Sequence, residues 1–252
     1  MCQVEEKQSC YLWRTVDAAR GLTVMSQATH PKPQRGTTRM FESDFFEKFS
    51  RVHPWIPAVL YLPVVAISAF VASQSYGVAP GRLLLQVFGG YLTWTLFEYW
   101  AHRLVFHLPV IGPKTKRLQF LIHGVHHDFP WDEMRLVFPP GASIGLCLVT
   151  YAAFRAIFGV EGMYGPFAGF VLGYVIYDEL HWYVHAKQPT GRFGRWLRRE
   201  HFVHHFKEKE SGTRFGVSCP WLDYVFGTQG RAERPTTGGR SAAAGLDVDS
   251  VV

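Results

Sequence analysis

Twelve histidines stand in the 252-residue chain, and ten of them fall into four short windows. His102 and His107 form an H-x4-H pair. His123, His126 and His127 form H-x2-H-H. His181 and His185 form H-x3-H. His201, His204 and His205 form a second H-x2-H-H. His30 and His53 stand alone and are read as incidental. Neutral imidazole is the commonest biological metal ligand and suits iron, zinc, copper and nickel. Ten imidazoles are too many for one ion. Two ions with about five ligands each would keep an open coordination position, which marks catalytic rather than structural sites.

Spacing adds direction. Residues at i, i+3 and i+4 share one face of an α-helix. Each H-x2-H-H is therefore expected to point three imidazoles one way, and His181 and His185 to point two. The H-x4-H pair does not share a face on a straight helix and is expected to straddle a helix end before Pro109. An all-nitrogen site brings no anion to offset two dications. Carboxylates that accept the outer ring N–H would supply it. Glu98, Asp178, Glu200 and Asp128 stand at four, three, one and one residues from a clustered histidine. Ordinary solvated acids are the equal alternative for each.

The elements that must bring these windows together are apolar. Trp55–Ser73 is 19 residues without a charge, and Leu83–Trp100 carries only Glu98. Ala142–Val160 carries only Arg155, and Met163–Tyr177 is uncharged and runs on to Leu180. About 20 apolar residues cross a bilayer. The pattern predicts an all-α integral membrane protein with four transmembrane helices in two hairpins. Buried helices of a soluble bundle are the alternative, but four such runs would leave little amphipathic surface.

Charge agrees with that topology. Four spans put the N-terminus, the segment 101–141 and the C-terminal segment on one side. That side carries 24 of the 26 Lys and Arg residues. The positive-inside rule makes it cytoplasmic, so the formal net charge of +6 needs no nucleic acid. Every histidine window also falls on that side, where a pH sensor or scattered surface histidines would not need four clusters. Four cysteines without Cys-x-x-Cys spacing support neither a disulfide scaffold nor a thiolate zinc module. Residues 1–24 lack the apolar core of a signal peptide, and Met25 is a second candidate start. Phe41–Trp55 reads as an interfacial amphipathic helix. The expected units are a poorly ordered tail 1–38, a membrane domain 39–228, and a disordered tail 229–252.

These residues carry a resemblance. The segments RMFESDFFEKFS, FEYWAHRLVFH, HGVHHDFPWDEMRLVFPP, GYVIYDELHWYVH, HFVHHF and FGVSCPWLDYVFGT run from Arg39 to Thr228. Together they resemble the fatty acid hydroxylase superfamily, and within it the membrane fatty acid 2-hydroxylases. The H-x2-H-H signature is shared with desaturases and sterol-modifying relatives. The string HGxHHxxPxDxxRLVFPP is far more specific. Trp182 stands where Tyr is usual, Ala186 where a second His is frequent, and Trp221-Leu222-Asp223 replaces a contiguous Trp-Asp.

The resemblance implies a four-helix membrane anchor under a cytoplasmic helical cap holding a histidine-rich dimetal centre, in which all ten clustered histidines hold two iron ions, with dioxygen as co-substrate. Zinc would fit the same imidazoles. It implies hydroxylation at C2 of a fatty acyl chain, free or within a ceramide, because no side chain alone oxidises a C–H bond. Electrons would come from an external b-type cytochrome, or from a ferredoxin with its reductase. Tyr177, Asp178, Tyr183 and Arg135 are candidates for positioning substrate or ligands. Trp182, Tyr183 and Phe206 are candidates for lining an acyl channel, with interface anchoring as an equal alternative. The lipid bilayer is the expected setting: endoplasmic reticulum in a eukaryote, inner membrane in a bacterium. Sterol or long-chain-base oxidation is the rival enzyme reading. A metal carrier is disfavoured, because the span interiors offer only Arg155 as an ionisable path.

Overall fold

The structure, a computed structural model, describes residues 34–206 and 212–230. The expected tails before 34 and after 230, and the candidate start at Met25, lie outside the described residues. Among the described residues the protein is all-helical, with no strand. The helices are α1 (Asp44–Ser50), α2 (Ile56–Phe70), α3 (Pro80–Ala101), α4 (Pro113–Gln119), α5 (Val125–Asp128), α6 (Pro140–Gly162), α7 (Tyr164–Ala186), α8 (Arg192–Phe206) and α9 (Trp221–Val225). Three π-helical turns extend them: Val71–Ser75 after α2, His102–Phe106 after α3, and Phe120–Gly124 between α4 and α5.

Starts and stops follow local chemistry. Proline opens α3, α4 and α6, where its missing N–H costs nothing. Gly159, at φ 69°, breaks α6 near its end and turns the chain towards α7.

α7 is the central element, and α3 packs directly on it. The contact runs along a glycine ridge. Gly165, Gly169 and Gly173 recur every fourth residue on α7 and therefore share one face. A Cβ at Gly169 would overlap the Val87 carbonyl oxygen, and one at Gly90 would overlap that of Pro166. Absent side chains let the two backbones approach, as in close-packed membrane helix pairs. Beyond the ridge, Trp94 packs against Phe170 and Tyr174 with ring centroids 5.2 and 5.4 Å away.

Among the described residues two helical stretches are long and apolar enough to cross a membrane: Ile56–Ser75, with mean hydropathy 2.1, and Glu133–Gly162, with 1.7. Helices α3 and α7 are also long enough, with 22 and 23 residues, but do not reach that hydropathy. The outer faces of α2, α3 and α6 expose Ile67, Phe70, Leu84, Leu85, Leu148 and Ile157. α1 exposes Phe45, Phe46 and Phe49, while Glu47 on its other face accepts the N–H groups of Met40 and Phe41.

Candidate metal centre

The ten clustered histidines converge from α3, α4–α5, α7 and α8 into two sets of five. One set comprises His102, His107, His123, His127 and His204. The other comprises His126, His181, His185, His201 and His205. Within each set one ring nitrogen from each histidine lies within 4.8 Å of the others. All the rings are buried except that of His107, which is half-buried. The sets adjoin, with the rings of His127 and His205 stacked at 4.2 Å.

The sequence expectation that each H-x2-H-H points three rings one way is corrected here. The i and i+4 members stay together, and the i+3 member crosses over. His123 and His127 enter the first set and His126 the second; His201 and His205 enter the second and His204 the first. Each triad thus straddles both sets. One face of a helix is broad enough for rings about 60° apart to serve adjoining sites.

The H-x4-H pair is resolved by the π-turn. His102–Phe106 is wound with i→i+5 bonds, and the His107 N–H donates to the His102 carbonyl at 3.2 Å. The wider turn stacks i above i+5, so the two Nε2 atoms come within 3.2 Å. A second π-turn carries His123. Such turns concentrate at functional sites.

Backbone carbonyls orient three of the rings. His102 Nδ1–H donates to Phe215 O at 2.6 Å, His204 Nδ1–H to Thr213 O at 2.8 Å, and His181 Nδ1–H to Leu136 O at 2.8 Å. A carbonyl can only accept, so each Nδ1 carries the proton and each Nε2 turns its lone pair into the cluster.

Carboxylates were expected in this role. They instead bind the peptide segments that carry the carbonyls. Glu98 accepts the Ser218 N–H at 2.7 Å and the Ser218 hydroxyl. Asp178 accepts the Phe138 N–H at 3.4 Å, two residues from Leu136. Glu200 pairs with Arg214, which stands between Thr213 and Phe215 at φ 61°. Glu98 and Asp178 share a helix face with the histidine one turn on, and what decides their partners is the segment packed against them: Ser218 for Glu98 and Phe138 for Asp178. Glu200, adjacent to His201, is turned about 100° around the helix.

The remaining candidates are placed as follows. Asp128 closes α5 and is half-buried, and its carbonyl accepts the Gln34 N–H at 2.8 Å. Tyr177 stacks on His181 at 5.8 Å. Arg135 lines a cleft beside the histidines, with its side chain buried. Its guanidinium donates to Glu47 (2.6 Å), the Thr38 carbonyl (2.7 Å) and Ser50 (2.9 Å), fastening α1 to the loop before Leu136. Tyr183 packs beside Gly194 at the start of α8. Trp182 donates to Glu133 at 3.1 Å, and Phe206 stacks on Trp131 at 5.6 Å.

A small cleft of about 50 Å³ opens beside both sets, lined by His123, His126, His181, Phe138, Tyr177, Asp178 and Arg135 among others.

Asp223 stood out in the sequence only as part of Trp221-Leu222-Asp223, with no role attached. Its carboxylate accepts the N–H groups of Phe215 (2.8 Å) and Gly216 (2.9 Å), which fixes the loop that anchors His102. Its signal was the FGVSCPWLDYVFGT segment, which carries no histidine and so drew no role.

The ring nitrogens fit metal ions. His102 and His204 both present bare Nε2 lone pairs, 3.2 and 3.1 Å from His107 Nε2. His123 Nε2 also lies 3.0 Å from His102 Nε2, and a single cation would accept the lone pairs of all these rings at once. Ligands about 2.1 Å from an ion and 90° apart lie about 3.0 Å from each other. The seven Nε2–Nε2 separations of 2.8–3.2 Å across the two sets match that spacing. Burial and the neighbouring imidazoles hold His123, His126, His201 and His205 well below the ordinary histidine range. Neutral rings are the ligating form.

Fold and site together define a class: all-helical proteins that bury two adjoining imidazole sets shaped for metal ions. The comparisons narrow it. The family model described as fatty acid hydroxylase matches residues 87–228. The dihydroceramide fatty acyl 2-hydroxylase FAH1 of Arabidopsis thaliana is 38% identical over 197 residues, covering 78% of this chain and 82% of that protein. The ceramide very long chain fatty acid hydroxylase SCS7 of Saccharomyces cerevisiae is 36% identical, covering 77% of this chain and 50% of that one. The fatty acid 2-hydroxylase of Rattus norvegicus is 35% identical, covering 78% of this chain and 58% of that one. A solved structure of scs7p, in which the hydroxylase domain is visible, superposes with TM-score 0.69 at 34% identity, covering 77% of this chain and 73% of that one. The chain belongs to the fatty acid hydroxylase family and is an enzyme of its membrane 2-hydroxylase branch.

Proposed function

We propose that the protein hydroxylates C2 of fatty acyl chains, free or in ceramides, using dioxygen. The carrying observation is the pair of adjoining five-imidazole sets beside a cleft that reaches both. The names of the relatives, hydroxylases of fatty acids and of ceramides, support the substrate class.

His102, His107, His123, His127 and His204 would hold one iron ion. His126, His181, His185, His201 and His205 would hold the other. Bound iron supplies the redox chemistry by which dioxygen inserts one oxygen atom into a C–H bond, the other leaving as water. The chain's own work is to hold, orient and exclude. Carbonyls of Phe215, Thr213 and Leu136 fix three ring tautomers. Glu98, Asp178, Glu200 and Asp223 fix the segments bearing those carbonyls. Phe106, Phe138 and Tyr177 wall the cleft and keep water from the reacting carbon.

The membrane reading is four spans, α2, α3, α6 and α7, with the histidine cap and both termini cytoplasmic. Exposed apolar faces on α2, α3 and α6 support it, as does the basic bias of that side. α7 is the sheathed central span. The unit responsible is 39–228. Zinc fits the same rings, so iron loading is a condition of activity. A b-type cytochrome, or a ferredoxin with its reductase, supplies electrons.

The test is expression in cells lacking 2-hydroxy lipids, with products read by mass spectrometry. New 2-hydroxy acyl species are expected, and His126→Ala and His204→Ala each abolish them. Sterol or long-chain-base products without 2-hydroxy acids would overturn the assignment.

A further inference from the structure

The short helix α1 has two unlike faces. Phe45, Phe46 and Phe49 are exposed on one. Their rings pack on each other, Phe45 against Phe46 at 5.5 Å and against Phe49 at 4.9 Å, and so form one apolar patch. Five residues after α1 the chain enters α2. Trp55 is exposed at that entry, and the outer face of α2 goes on with exposed Val59, Leu60 and Leu62. The patch is therefore continuous along the chain with a face that the membrane reading places in lipid. Around it, exposed Arg39, Lys48 and Arg51 offset exposed Glu42 and Asp44. Apolar contact, rather than net charge, is what this surface offers, as in a helix lying in the bilayer interface.

The inner face of α1 holds Arg135. The guanidinium is buried and donates to Glu47 and Ser50 of α1 and to the Thr38 carbonyl before it. Just past α1, the Val52 N–H donates to the Met134 carbonyl at 2.8 Å. Both ties end on residues next to Leu136 or two before it. The Leu136 carbonyl takes the His181 Nδ1–H, and His181 Nε2 lies 2.9 Å from His126 Nε2. Of the three rings oriented by carbonyls, His181 is the one whose anchor lies in the segment that α1 holds; those of His102 and His204 lie on Phe215 and Thr213.

We infer that α1 seats on the bilayer surface through Phe45, Phe46 and Phe49, and that Arg135 is a positioning residue that passes this seating to His181. The ion of the set containing His181 is then held most tightly when α1 lies against lipid. This rests on the two-ion centre and the membrane setting proposed above.

The tests use the full chain in phosphatidylcholine nanodiscs and need no turnover. Chelator competition reads two zinc ions. Arg135→Lys keeps the charge but loses the planar fork that meets three acceptors at once. One ion is expected to weaken about 10-fold while the other keeps its affinity. Added to His185→Ala, which breaks the set containing His181, Arg135→Lys should leave the remaining ion unchanged. Equal weakening of both ions, as a purely structural role would give, weakening of neither, or a further loss in the double variant would overturn the positioning role. If Arg135→Lys does not fold, Glu47→Gln decides by the same readings.

Phe45, Phe46 and Phe49 changed together to Ser should weaken the same ion several-fold, and no further in a chain that already carries Arg135→Lys. Independent, multiplying losses would overturn the link. Benzoylphenylalanine in place of Phe46 is expected to crosslink to phospholipid on irradiation. Crosslinks to a second copy of the chain alone, or no lipid adduct, would overturn the seating. If the unaltered protein makes no 2-hydroxy acids, the proposed activity fails, while metal affinity and crosslinking still decide this inference.

Discussion

The set containing His185 and His201 rests mainly on unbroken α-helix; the set containing His102 and His107 rests on π-turns and a loop. In the first case His181/His185 and His201/His205 project from α7 and α8 at i, i+4 spacing, and every ring is buried. In the second, His102 and His107 span one π-turn and His123 lies in another. The rings of His102 and His204 are oriented by carbonyls of the 212–228 segment. Helix packing alone assembles most of one set. The other is completed only when a segment distant in sequence closes over it. The difference implies two stages of site formation, with the π-turn set the more easily lost.

The largest expected effect breaks one set at a time. His102→Ala should reduce bound metal from two ions per chain to one and abolish product, and His185→Ala should do the same from the other side. Metal analysis of the purified variants checks this. Loss of both ions from either variant would mean that the sets do not form separately.

The next effect sharpens the contrast through the loop. Asp223→Ala frees the Phe215 and Gly216 N–H groups, so the His102 anchor loosens. Metal affinity of the π-turn set should fall about 10- to 100-fold, as for other groups that orient ligands. The helical set should keep its affinity. Chelator competition reads both, and equal weakening of the two would break the distinction.

A third change should strike both sets alike. α3 leads into the π-turn bearing His102, and α7 carries His181 and His185. Gly169→Val drives a side chain into the Val87 carbonyl and should cost about 1–3 kcal/mol of stability. A thermal melt in detergent measures it. Unchanged stability would show that the ridge is not in tight contact.

The smallest effect is on pH. Burial, then neighbouring imidazoles, depress His123 in the π-turn set and His126, His201 and His205 in the helical set, below the ordinary 6.5. The unfolded chain therefore takes up protons first as pH falls. Stability of the metal-free protein should be level above about 6.5 and decline below it. Melts at neutral and mildly acidic pH check the sign; greater stability in acid would mean the rings are charged when folded.

How much of this was legible follows from the same contrast. The i, i+4 pairs could be read from spacing because a regular helix has a fixed period. The four long helices were legible from their uncharged runs. The H-x4-H geometry was not, because a 3.6-residue period gives no warning of a π-turn. Nor was the exchange of His126 and His204 between sets, which depends on where neighbouring helices lie. The carbonyl anchors were out of reach for a plainer reason. Every residue has a carbonyl, so Phe215, Thr213 and Leu136 carry no compositional signal. Glu98, Asp178 and Glu200 stood out by their distance from the histidines, but their carboxylates meet the anchoring segments instead of the rings, which depends on where those segments pack. The glycine ridge of α7 was legible in principle, as glycines at every fourth position, but the histidines drew the reading elsewhere.

The central claim is that two ions lie side by side, one in each histidine set. Anomalous diffraction from iron-loaded crystals tests it most directly. Two peaks are expected, one among His102, His107, His123, His127 and His204, the other among His126, His181, His185, His201 and His205. A single peak shared by the ten rings, or peaks away from them, would contradict it.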